Sequence, residues 1–258
     1  MTDVLLPTGW QPESDLLQDR VIAVTGAGAG IGRAAALALA AHGATVLLLG
    51  RTQSRLEAVA DEISAAGGPE PVIQAVDLRG VTAEDCNNLA HAIDGMFGRL
   101  DGLLHNASLL GPRLPLTSYD PDAWREVMAT NLDACFLLTQ ACLPLLEEGR
   151  DPLVLFTGSG AGLRPRAYWG AYAVSKAGLE ALMKVFADEA DNISRVRFAS
   201  LNPGGTRTAM RAAAFPGEDP QTLPAPEDLM PLYLWLFGSS DTAINGRSID
   251  ARQWLGLS

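Results

Sequence analysis

Between residues 21 and 250, short apolar runs take turns with longer helix-patterned stretches, and this alternation restricts the fold more than any other property of the chain. The runs are Val21–Val24, Thr45–Leu49, Val72–Val76, Leu100–Leu104, Leu153–Phe156 and Val196–Leu201, with a shorter one at Ser248–Asp250. Between them lie Ile31–Ala41, Arg55–Ala65, Glu84–Met96, Pro121–Leu146 and Ala171–Asp191. Strand runs that are apolar nearly throughout suit a parallel sheet covered on both faces. Alternation with helices predicts an α/β fold: one domain, a doubly wound parallel sheet, helices on both faces. Hydrophobic residues are 48% of the 258, enough to fill both sides. Residues 1–18, polar and carrying Pro7 and Pro12, are expected to form an N-terminal arm to a domain spanning 19–258. Residues 206–226 are irregular and hold Pro216, Pro220 and Pro224. They follow the carboxyl end of a strand, where such sheets bind ligands, and so read as a substrate lid; a plain surface loop is the other reading.

The first run opens into a glycine-rich turn, Thr25-Gly26-Ala27-Gly28-Ala29-Gly30-Ile31-Gly32-Arg33, followed by the alanine-rich stretch Ala34–Ala41. Strand, glycine turn, helix is the context in which such a turn holds a dinucleotide. Glycines let the backbone approach a pyrophosphate, and the helix start offers free N–H groups at its positive end. The spacing is Thr-Gly-x-x-x-Gly-x-Gly, with Gly26, Gly30 and Gly32; position 33 is arginine, so it is not G-x-G-x-x-G. A glycine hairpin without a ligand would show the same residues, so the turn alone does not decide.

Tyr172 and Lys176 lie four residues apart, and Ser159 stands thirteen residues before the tyrosine. Residues i and i+4 share a helix face, which places the ammonium beside the phenol and predicts a tyrosine pKa below its ordinary value of about 10. Such a pair can exchange a proton with a carbonyl or alcohol oxygen. An exposed tyrosine and lysine on a surface helix is the plain alternative. Ser159, in Thr157-Gly158-Ser159-Gly160, is either a donor to the same oxygen or a turn residue. It is no G-x-S-x-G elbow, because 157 is threonine and 161 is alanine.

Together these motifs resemble the short-chain dehydrogenase/reductase family, over residues 18–250. Asn106-Ala107-Ser108 stands where that family has Asn-Asn-Ala-Gly, Asn131 stands at its catalytic asparagine, and Pro203-Gly204 with Thr208 matches its Pro-Gly-x-x-x-Thr. Longer stretches, including Trp169-Gly170-Ala171-Tyr172 and residues 202–211, are similar to the YciK-like bacterial oxidoreductases. The resemblance implies a Rossmann-like dinucleotide-binding oxidoreductase and a catalytic set of Asn131, Ser159, Tyr172 and Lys176. Tyr172 would trade the proton, Ser159 would hold the substrate oxygen, and Lys176 would tune the tyrosine and bind the nicotinamide ribose. Asn131 would hold a water linking the lysine to solvent. Cofactor contacts are implied at Thr25, Gly26, Gly30, Ile31, Gly32, Arg51, Asp77, Leu78, Asn106, Tyr172, Lys176, Pro203, Gly204, Thr206 and Thr208. Asn131 as a helix N-cap and Asp77 as a cap or turn residue remain open. Three departures stand out: His105 for the first Asn, Ser108 for Gly, and Asp250-Ala251-Arg252 for Asp-Gly-Gly.

Cofactor choice turns on the end of the second strand, where a carboxylate suits ribose hydroxyls and a cation suits a 2′-phosphate. Gly50 and Arg51 stand there, and arginine grips phosphate in a fork, so NADP(H) is expected over NAD(H). The family's frequent second basic residue in the glycine turn is missing, since position 29 is alanine. The expected activity is hydride transfer between NADP(H) and a small carbonyl or alcohol; a non-catalytic NADP(H)-sensing protein is the alternative. The family implies a homodimer or homotetramer. A net charge of −11 argues against nucleic acid and anionic membranes as partners. Cys86, Cys135 and Cys142 form no Cys-x-x-Cys pair, and His42, His91 and His105 are scattered, so no metal site is predicted. The N-terminus lacks the pattern of a signal peptide, and no apolar run approaches spanning length without polar breaks, which makes the cytoplasm the expected location.

Overall fold

The computed structural model describes residues 10–256. Seven strands form one sheet: β1 (Val21–Thr25), β2 (Thr45–Gly50), β3 (Val72–Ala75), β4 (Gly102–His105), β5 (Leu153–Thr157), β6 (Arg197–Asn202) and β7 (Arg247–Asp250). All pairs are parallel, in the order β3-β2-β1-β4-β5-β6-β7. The helices, in chain order, are α1 (Gly30–Ala41), α2 (Gln53–Ala65), α3 (Ala83–Phe97), α4 (Pro121–Met128), α5 (Ala134–Glu147), α6 (Gly160–Leu163), α7 (Gly170–Ala190), α8 (Ala209–Ala214), α9 (Met230–Gly238) and α10 (Ala251–Leu255).

β1, β2, β4, β5 and β6 bury both faces, as their composition predicted, while the edge strands β3 and β7 are partly exposed. Ile22 and Val24 of β1 enter a core built with α1, α2 and α9; Val21 and Ala23 enter a second core with α3, α5 and α7. In β2, Val46 and Leu48 take the first side, Leu47 and Leu49 the second. The chain is thus a Rossmann-like doubly wound α/β domain. α9 escaped the sequence reading because it is apolar all round. Leu232, Tyr233, Leu234, Leu236 and Phe237 are all buried, so no 3.6-residue stripe marks it.

Within the expected N-terminal arm, residues from 10 onward lie against the domain. Leu17 is fully buried, and its N–H donates to the carbonyl of His42 at 2.8 Å. Residues before 10 lie outside the described part. The run Pro121–Glu147 is long and apolar enough, by length and composition alone, to cross a membrane. It carries Asn131, Asp133 and Gln140 as polar breaks, and half of its apolar window is packed inside the fold. A π-helical turn, Ala129–Asp133, joins α4 to α5 in place of the single helix expected there.

Candidate active site

The carboxyl ends of β1, β4, β5 and β6 surround a cleft of about 320 Å³. It lies where the strand order reverses between β1 and β4, the place at which an open α/β sheet leaves a crevice. The glycine turn after β1 forms one wall. Gly26 and Gly30 have φ of 69° and 55°, conformations that favour glycine. A Cβ on Gly32 would stand 2.3 Å from the carbonyl oxygen of Gly26, so this position packs the turn and does not line the cleft. α1 starts here without a capping side chain and without an acidic residue in its first turn. Ala29, Gly30 and Ile31 present that start to the cleft. An uncapped helix start with this sign of dipole fits the pyrophosphate of a dinucleotide.

Thr25, expected to touch the cofactor, is 1% exposed and is spent on the sheet. Its hydroxyl donates to the carbonyl of Leu104 and accepts from the amides of Asn106 at 2.9 Å and Ala107 at 3.0 Å. It thereby positions Asn106 and Ala107, which do line the cleft.

The facing wall comes from the end of β5 and from α7: Thr157, Gly158, Ser159, Tyr172 and Lys176. The turn reading of Ser159 describes its bond in this structure. Its Oγ caps α6 by accepting from the amide of Ala161 at 3.2 Å, and Ser159 and Tyr172 both line the cleft. Burial raises the pKa of the Tyr172 phenol, with the Ser159 side chain pulling the other way. The predicted depression by Lys176 is therefore corrected. The two side chains share a helix face, yet Nζ lies 5.8 Å from the Tyr172 ring centroid and donates to the carbonyl of Thr157 at 2.7 Å. Burial also lowers Lys176 itself, to about 8, against the opposing pulls of Cys135 and Glu180. His105 is held down near 3 by burial, stacked on Phe156 and bonded to Thr139 at 2.8 Å, so it is neutral.

Asn131 is no N-cap. It sits fully buried in the π-helical turn, outside the cleft lining. Its Oδ1 accepts from the amide of Leu109 at 2.7 Å, while Nδ2 donates to the Leu109 carbonyl at 2.9 Å and to Ser175 Oγ at 3.0 Å. Ser175 in turn donates to the carbonyl of Tyr172 at 2.9 Å. Asn131 thus reaches Tyr172 through Ser175, a residue the sequence reading passed over as filler between tyrosine and lysine.

After β6, Pro203, Gly204, Thr206 and Thr208 all line the cleft, and Thr208 caps α8 by accepting from the amide of Arg211 at 3.2 Å. Arg51, Asp77 and Leu78 do not line it. Arg51 is exposed immediately after β2. Asp77 and Leu78 border a neighbouring hollow against α3. The carboxylate of Asp77 is held low by Arg79, which pairs with it at 2.6 Å and whose amide it accepts at 3.1 Å, so the turn reading describes Asp77 here. At the outer end, Trp169, Met210 and Phe215 give the cleft an apolar wall. Arg113 covers the Trp169 ring at 4.6 Å, and Arg211 covers Phe215 at 3.8 Å while pairing with Glu218. Arg164 and Arg166 are exposed and lie off the lining.

The model of the short chain dehydrogenase family matches residues 20–219. The chain belongs to the short-chain dehydrogenase family. Among its relatives is the uncharacterized oxidoreductase YciK of Escherichia coli strain K12, 50% identical over 243 residues, which cover 94% of this chain and 96% of that one. A short chain dehydrogenase from Shigella flexneri 2a str. 301, solved in complex with NADP, superposes with a TM-score of 0.90 at 50% identity, covering 93% of this chain and all of the other. A short chain dehydrogenase from Escherichia coli CFT073, complexed with NADPH, gives 0.90 at 51% identity, with 93% and 100% covered. The protein is therefore an oxidoreductase of the short-chain dehydrogenase family, similar to YciK. In this short-chain dehydrogenase Glu180, one turn beyond Lys176, is a buried polar group that no motif announced.

Proposed function

We propose that this oxidoreductase moves a hydride between NADP(H) and a small carbonyl or alcohol compound, with Tyr172 as general acid–base. One observation carries the reading: the uncapped start of α1 and the side chains of Ser159, Tyr172 and Lys176 open onto the same cleft. When bound, the nicotinamide cofactor supplies or takes the hydride. Gly26, Gly30 and Ile31 hold its pyrophosphate, Asn106 and Lys176 its nicotinamide end, and Pro203, Gly204, Thr206 and Thr208 close the far side. Arg51, which enters no ion pair among the described residues, meets the 2′-phosphate. Complexes of two relatives with NADP and NADPH support this choice.

A phenol raised by burial is protonated at neutral pH, the state that can give a proton to a carbonyl oxygen. Ser159 donates to that oxygen and holds it in place. Asn131 acts as a brace, with both polar atoms of its side chain engaged. The 206–226 segment is the lid, with Met210 and Phe215 over an apolar substrate body. A cytoplasmic homodimer or homotetramer completes the proposal. Titration with NADPH and NADH, read by quenching of the five tryptophans, is the first test, followed by NADPH oxidation with simple aldehydes. Tight NADPH binding with turnover supports the reading; binding without any turnover moves the protein to the sensing class.

A further inference from the structure

Tyr172, Lys176 and Glu180 succeed one another at four-residue spacing on one face of α7, and all are buried, with 8%, 2% and 6% exposure. The first two belong to the reaction proposed above. Glu180 lies beneath the cleft and is absent from its lining. Its Oε2 accepts from Ser200 Oγ of β6 at 2.7 Å and from Ser248 Oγ of β7. Its Oε1 lies 2.6 Å from where a Cβ on Gly158 would stand, which leaves position 158 no room for a side chain. Two hydroxyls stabilise a carboxylate but bring no charge, and no lysine or arginine forms an ion pair with Glu180 among the described residues. A buried carboxylate without a cation is costly. The cation one turn away is Lys176, whose Nζ makes a single hydrogen bond, to Thr157.

We propose that Glu180 is a positioning residue for this site: it is the counter-charge that keeps Lys176 protonated where water is excluded. The other groups facing Lys176 leave it that task. His105 from β4 is neutral, and Cys135 from α5 is pushed up to about 12 by burial and stays a thiol. Tyr172 on the same helix is a protonated phenol at neutral pH. β5 offers the Thr157 carbonyl, and α6 offers the backbone of Gly162. The π-helical turn offers Asn131, which is uncharged. Glu180 is the one full negative charge in this set.

The inference rests on the proposed reaction for its consequence, yet its test needs no turnover. The chain has two lysines, Lys176 and Lys184, and Lys184 is exposed on α7. Protein labelled with lysine carrying carbon-13 at Cε gives two resonances to follow against pH, Lys184 serving as internal reference. In Glu180→Gln, which keeps the shape and an acceptor oxygen, the Lys176 midpoint should fall by about one unit or more, a tenfold loss of proton affinity, and the exposed, solvent-screened Lys184 should move far less. Glu180→Asp, which keeps the charge, should hold the midpoint near that of the parent protein. An unchanged Lys176 midpoint in the glutamine variant overturns the proposal. So does an equal fall in both variants, which would make the effect one of packing. Failure of the parent protein to bind NADPH would count against the proposed function alone and would leave this titration readable.

Discussion

The ammonium of Lys176 and the carbonyl oxygen of Thr157 stand 2.7 Å apart, a charge-assisted bond from the middle of α7 to the last residue of β5. It ties the helix that carries Tyr172 to the strand that leads into Ser159. The geometry of the two hydroxyls therefore depends on a cation that is 2% exposed.

Burying that cation has a pH signature. Burial lowers Lys176 from 10.5 to about 8, so between those values the unfolded chain holds a proton that the folded chain has released. Stability from this group then rises as pH climbs through that window, and near neutrality the lysine costs stability. Lys176→Met combined with Glu180→Gln, which leaves neither charge buried without its partner, should raise the melting temperature at pH 7. The gain should fade towards pH 10.5. Calorimetry across this range is the check, and a lower melting temperature at pH 7 would contradict it.

Tyr172→Phe removes the acid and leaves the cleft otherwise lined as before. NADPH should bind within about twofold of the parent, while turnover falls by about 10²–10⁴, the usual worth of a positioned general acid. Undiminished turnover would remove the tyrosine from its assigned role.

Arg51 is exposed at the end of β2, where a 2′-phosphate would lie. Arg51→Asp should weaken NADPH by about 10–100-fold, the worth of a charged hydrogen bond, and leave NADH nearly unchanged. Equal losses for the two cofactors, measured by tryptophan quenching, would sink the assignment.

Asn131→Ala strips both bonds from the Leu109 backbone and one from Ser175. A buried N–H and C=O left unpaired cost about 1–3 kcal/mol each, so the variant should melt several degrees lower. Asn131→Asp keeps the acceptor but sets a buried carboxylate against the Leu109 carbonyl, so it should not recover the loss. A variant as stable as its parent would show that the loop finds other partners.

How legible these features were depends on how far each residue reaches. Strand runs such as Val21–Val24 declare themselves, because both faces are buried and nearly every letter is apolar. Tyr172 and Lys176 share a helix face, so their spacing carries the information. Thr25 misled because its partners, Leu104, Asn106 and Ala107, stand about eighty positions away. Glu180 is silent in sequence, since glutamate is an ordinary helix former and only Ser200 and Ser248 reveal that it points inward. Asp77 and Leu78 were placed by analogy, and the fold sets them in the adjoining hollow, while Arg51, read from the end of the second strand, is exposed just after β2. α9 lacks a polar face to mark it.

The π-helical turn at Ala129–Asp133 gives the α4–α5 run two rotational phases. Each residue advances a helix by about 100°, so one letter more or fewer there turns everything beyond it by that angle. Val127 before the turn and Cys135 and Leu138 after it are all buried, and Asn131 within the turn accepts from the amide of Leu109. In this stretch chain length is constrained more tightly than residue identity: exchanges of side chain can be absorbed locally, whereas a single-residue deletion would swing one whole helix face into solvent.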